Sequence, residues 1–82
     1  MPRHPKVTNR KLGRERADGL YHSDGMIEID DRLKGKLRLE TLIHEYFHHL
    51  DPEAVEEIIN RKAAFMADFL WKNNVRIIDS NK

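Results

Sequence analysis

Three hydrophobic patterns follow one another along the chain. Residues 1–16, MPRHPKVTNRKLGRER, have two early prolines and no apolar period, which reads as a basic, flexible arm on the domain formed by residues 17–82. Residues 20–30 hold two short runs, 20–23 and 26–30, the second alternating as Met26, Ile27, Glu28, Ile29, Asp30. Asp24-Gly25 between them predicts a β-hairpin closed by a type I′ turn. After Gly35 the chain is rich in helix formers, with no further Gly or Pro before Pro52, and this predicts a first helix over 36–50.

Leu39, Leu42, Ile43, Tyr46, Phe47 and Leu50 fall on one arc of that helix, about 140° wide at 100° per residue. The segment that follows begins Asp51-Pro52-Glu53, with Glu56 and Glu57 close behind. Asp is a good N-cap, Pro suits the first helical position, and acids suit the positive end of a helix. The expected second helix therefore spans 52–73, capped by Asp51. Its apolar residues Val55, Ile58, Ile59, Ala63, Met66, Phe69 and Leu70 form the expected buried stripe, and Asn74 is placed to end it. Trp71, with Phe65, Met66 and Phe69, reads as core; Lys62, near the centre of the stripe, fits only if its stem snorkels. Residues 75–78, VRII, suit a short extra strand. The fold class is α+β: a small antiparallel β-hairpin packed on two main helices.

Composition narrows the chemistry. A chain of 82 residues is one small domain with a marginal core. It contains no cysteine, so a structural or catalytic metal must be held by His, Asp or Glu, and the lack of thiols fits a reducing, cytoplasmic compartment. No secretory h-region or membrane-length apolar run is present. Residues 1–16 carry six Lys or Arg against Glu15, a charge of +5 that leaves −4 for residues 17–82 of a chain whose total is +1. The arm's roles are then three: solvated chain, contact with nucleic acid through counterion release, or docking on its own domain.

The stretch TLIHEYFHHLDPEAVEE, residues 41–57, carries the candidate site. His44 and His48 lie about 40° apart on one helix face and can share a metal, whereas His49 lies about 140° from His44 and cannot replace either. Both imidazoles fall largely outside the apolar arc. Glu45 projects beside the pair, which suits a base acting on a metal-bound water. The pattern is H-E-x-x-H, in which two neutral imidazoles bind zinc and the acid is the general base; its bland counterpart is a polar helix face with unrelated histidines. A catalytic zinc takes a third protein ligand. Among Asp51, Glu53, Glu56 and Glu57, Asp51 is used as a cap, and Glu56 lies on the flank of the second helix nearest the first. Glu56 is the expected third ligand and Glu57 the alternative.

From Gly19 onward the sequence resembles the small zinc metallopeptidases inferred in many bacteriophage genomes, a compact zincin type akin to SprT-like and gluzincin domains. The resemblance rests on a strand ending I-x-I-D, on L-I-H-E-x-x-H, on an acid pair after a short turn, and on F-L-W-K closing the second helix. It implies a minimal zincin-like domain, one zinc ion held by His44, His48 and Glu56, Glu45 as base, a peptide or protein substrate, and residence in host cytoplasm if phage-encoded. The metzincin extension is missing, since Asp51 and Ala54 occupy its Gly and third His positions. The implied reaction is peptide hydrolysis by a metal-activated water. Substrate would lie along Met26–Asp30 as an edge strand, with Tyr21 and His22 as candidate oxyanion stabilisers. The competing reading is a non-catalytic, metal-stabilised binding module whose arm contacts nucleic acid or an acidic partner.

Overall fold

The computed structural model describes residues 3–13 and 17–78. It is an α+β domain with element order β1 (Lys6–Arg10), β2 (Gly19–His22), β3 (Met26–Asp30), α1 (Gly35–Leu50) and α2 (Glu56–Lys72). The three strands form one mixed sheet ordered β1-β3-β2, with β1 parallel and β2 antiparallel to β3. Among the described residues, no helix is long and apolar enough to cross a membrane.

The predicted hairpin is β2–β3, but its loop has three residues rather than two. His22 faces Met26, the Gly25 N–H donates to the His22 carbonyl at 2.9 Å, and Gly25 alone in the loop has positive φ, at 90°. A type I′ turn would need positive φ at Asp24 as well. Instead the loop ends on a left-handed glycine, the usual three-residue hairpin solution.

The arm expected over residues 1–16 is corrected where it is described. Residues 6–10 form β1, which pairs with β3 in the register Lys6↔Met26 to Arg10↔Asp30. Leu12 is fully buried. Its N–H donates to the Asp30 carboxylate at 3.3 Å, and the same carboxylate accepts the Arg32 backbone N–H at 2.9 Å and the Arg32 guanidinium at 3.0 and 2.8 Å. Arg10 pairs with Glu28 at 2.6 Å, and Asn9 bonds Arg38 of α1. These contacts hold a strand whose own sequence, KVTNR, has a single apolar residue. The remainder of the expected arm, residues 1–2 and 14–16, lies outside the described residues.

β3 is consequently the central strand, buried at Ile27, Ile29 and Asp30. The expectation that Met26–Asp30 forms an edge is overturned by its parallel neighbour. The strand with an open edge beside α1 is β2.

The second helix also starts later than expected. Residues 52–54 are a turn, the Ala54 N–H donates to the Asp51 carbonyl, and Val55 is the N-cap, without a side-chain cap. Asp51 instead closes α1, donating its N–H to the Phe47 carbonyl at 2.9 Å. At the other end, Asn74 adopts φ 67° while its N–H reaches the Trp71 carbonyl and the Val75 N–H reaches the Leu70 carbonyl. That is the left-handed cap expected of Asn74. Among the described residues, 75–78 add no strand.

Burial on α2 differs from the expected stripe. Ile59, Ala63 and Ala67 are buried, whereas Val55, Ile58, Phe65, Met66 and Phe69 are exposed. Trp71 is half-buried, its ring covered by the Arg76 guanidinium at 3.5 Å. On α1 the deepest residues are Leu39, Thr41 and Glu45, while Leu42, Ile43, Tyr46 and Phe47 are half-buried and Leu50 is exposed.

Candidate metal centre

Two helices converge on one point. His44 and His48, one turn apart on α1, face each other with their Nε2 atoms 3.2 Å apart. Glu56, the first residue of α2, reaches across: its Oε2 lies 2.8 Å from His44 Nε2 and its Oε1 2.9 Å from His48 Nε2. One ligand atom from each of the three residues lies within 4.8 Å of the others, a group able to hold a metal ion. The donor set is right for a first-row divalent ion, two imidazoles and one carboxylate. Tetrahedral bonds of about 2.0–2.1 Å place neighbouring ligand atoms roughly 3.3 Å apart, close to the spacing these side chains already hold.

The buried stripe of α2 explains why Glu56 is the acid that arrives. It stands three residues before Ile59 and seven before Ala63, in line with the helix's buried stripe. Ala63 and Ala67 carry no side chain beyond Cβ, which lets α2 lie close to α1. Glu57 is one step further round, exposed, and 3.7 Å from Arg61 one turn on. Glu53 falls in the turn before the helix.

Glu45 is buried beneath this group, 7 % exposed. Burial raises its pKa above the ordinary carboxylate value, opposed by His44 and His48. It packs against β2 at Gly19, where a Cβ would stand 3.1 Å from Glu45 Cγ, 3.2 Å from its Oε2 and 2.8 Å from Thr41 Cγ2. Gly19 is a site residue that sequence reasoning missed. Its signal was a glycine opening a strand, which marks close approach by another element.

Two open clefts adjoin the group along β2. One, of about 260 Å³, is bounded by Asp18, Leu37, Glu40 and Asn60; the other, of about 280 Å³, by Leu20, Tyr21 and His48. Gly19, His44, Glu45 and Glu56 line both.

The two candidate oxyanion stabilisers separate. His22 bonds Glu28 at 2.9 Å and lines neither cleft, because alternation puts it on the opposite face of the sheet from Tyr21. Tyr21 lines the second cleft, but its hydroxyl is 2.9 Å from His49 Nδ1, and His49 Nε2 is 2.7 Å from the Arg3 carbonyl. A carbonyl only accepts, so a neutral His49 donates through Nε2 and accepts the Tyr21 proton at Nδ1. Tyr21 therefore directs its proton to His49 and away from the cleft. His4 Nδ1 lies 3.0 Å from the Tyr46 hydroxyl.

No protein family, curated protein or solved structure was found to match the chain. The class of the site is thus defined by its own geometry: two histidines and a glutamate able to hold a metal ion, with a buried glutamate beside them.

Proposed function

We propose that the protein is a zinc-dependent metallopeptidase. The observation that carries this reading is the pairing of the His44–His48–Glu56 group with Glu45, a carboxylate buried next to it and lining both clefts. A site that only held a metal would have no use for a second acid at that depth. When bound, zinc supplies a Lewis acid for a carbonyl oxygen and makes a water more acidic.

The chain's own residues supply the rest. His44, His48 and Glu56 would hold the ion from two helices. Glu45, with its proton affinity raised by burial, takes a proton from the attacking water at its carboxylate and returns it to the leaving amine. The open edge of β2, which runs between the two clefts, offers backbone groups to an extended peptide.

Glu45→Gln tests the proposal. The variant should bind zinc as the wild type does and lose hydrolysis of an unfolded-protein or peptide library by about 10²–10⁴-fold, the usual share of a general base. Equal inertness of both proteins across a broad library would favour a metal-stabilised binding module.

A further inference from the structure

The second helix carries two apolar faces, and the domain covers only one. Ile59, Ala63 and Ala67 pack inward, while Ile58, Phe65, Met66 and Phe69 are 41 %, 71 %, 43 % and 65 % exposed. At 100° per residue these four fall within an arc of about 100°, centred roughly 110° from the buried stripe. Lys62 lies inside the arc with its flexible stem able to lie along it and its ammonium free to reach the rim. Val55 at the start of α2 and Leu50 at the end of α1 extend the same surface, at 63 % and 51 % exposed.

Beside this ridge runs a groove of about 480 Å³ walled by Ile27, Leu42, Ile43, Phe47, Leu50 and Met66. Met66 and Leu50 belong to both features, so ridge and groove are neighbours on one surface. We infer that this surface is the interface of a homodimer, in which the Phe65/Phe69 ridge of each chain seats against the groove of its two-fold mate.

Three observations select a second copy as the occupant. A two-fold contact needs a surface that can be complementary to itself, and this one offers a projecting aromatic ridge and a receiving apolar groove side by side. The surface gathers six large apolar residues, Leu50, Val55, Ile58, Phe65, Met66 and Phe69, each more than 40 % exposed, and an apolar patch of that extent on a small domain marks a contact with another chain. The third is the thinness of the core. Among the described residues, the buried apolar side chains are Leu12, Ile27, Ile29, Leu39, Ile59, Ala63 and Ala67, little for a chain of 82 residues, and oligomerisation is a common supplement in domains this small. The dimer leaves the metal centre open, because Glu56 projects about 130° around α2 from the middle of the exposed arc.

Sedimentation of the full chain over a wide concentration range tests the inference. The mass should rise from 9.7 kDa toward twice that value, with a dissociation constant on the order of micromolar. The double variant Phe65→Lys/Phe69→Glu, which alters only exposed positions, should stay at the monomer mass with unchanged circular dichroism. Ile78→Lys, at an 85 % exposed position that belongs to neither the ridge nor the groove lining, should dimerise as the wild type does. A wild type that remains monomeric throughout, a double variant that still dimerises, or an Ile78→Lys variant equally dissociated would each overturn it.

Discussion

Gly19→Ala tests the packing beneath the candidate metal centre. Gly19 lies in β2 opposite Ile29, and its φ is outside the left-handed range, so alanine meets no backbone strain there. Any loss must come from the added methyl, which would stand 2.8 Å from Thr41 Cγ2 and 3.1 Å from Glu45 Cγ. Both neighbours are buried at 7 % exposure, and a β-branched threonine on a helix has little rotamer freedom with which to yield. Overpacking of this kind costs about 1–3 kcal/mol. Against the roughly 4–12 kcal/mol total expected of a domain this size, Tm should fall by about 5–20 °C. Thr41→Ser removes the methyl that clashes, at a cost of about 1 kcal/mol by itself. The pair Gly19→Ala/Thr41→Ser should therefore be more stable than the two single changes imply, by about 1 kcal/mol or more. Urea unfolding of all four proteins in one buffer measures the coupling. Additivity within about 0.5 kcal/mol, or an alanine variant as stable as the wild type, would show that β2 does not lie against α1 as described.

Further measurements address the ligands and the sheet. Purified protein should hold about one zinc per chain, falling to near none in His44→Ala; chelation should lower the wild type's Tm. Titrated against a competing chelator, Glu56→Gln should lose affinity by orders of magnitude and Glu57→Gln by very little, and the reverse order would remove Glu56 from the site. Glu28 is held down from 4.5 to about 2 by the Arg10 guanidinium and by His22, and hydrogen bonds from Arg32 depress Asp30. A depressed carboxyl stabilises the fold above its unfolded pKa and loses that contribution as pH falls through the folded one. Glu28→Gln should thus melt below the wild type at pH 6 and converge with it as the pH falls from about 4.5 to about 2, and a constant difference across that window would exclude the pairing.

Local signals were legible in the sequence and non-local ones were not. The hairpin, α1 and the Asn74 cap each rest on residues within a few positions of one another, and each stands where its own residues put it. Strand β1 pairs with residues about twenty positions away in parallel register. No turn residue announces such a pairing, and the five residues KVTNR gain their place from Leu12, Asp30 and Glu28 rather than from a period of their own. Capping chemistry misplaced α2 by four residues, because Asp51 and Pro52 are as suited to the turn between two helices as to a helix start. His44 and His48 were readable because four residues on one helix fix their separation. Gly19 was not, since its constraint comes from Thr41 and Glu45 on another element.

Glu56 reached its expected place by a different route from the one that predicted it. The expected stripe of α2, weighted toward large apolar side chains, had Lys62 near its centre, which set Glu56 on its flank. The buried stripe runs through Ile59, Ala63 and Ala67, and Glu56 falls about 20° from its centre. Hydrophobicity alone cannot tell that two alanines mark the helix contact while Phe65, Met66 and Phe69 stay outside, because small residues draw helices together by what they lack. The misplaced centre was the sum of two faces, one buried against α1 and one exposed. If the exposed face is the dimer surface, then Phe65→Lys/Phe69→Glu should dissociate the chains without moving zinc affinity, while Ala63→Leu, which pushes α2 away from α1, should weaken zinc binding by displacing Glu56. Zinc affinity lost with the phenylalanines and kept with the larger residue at 63 would mean that the two faces had been assigned the wrong way round.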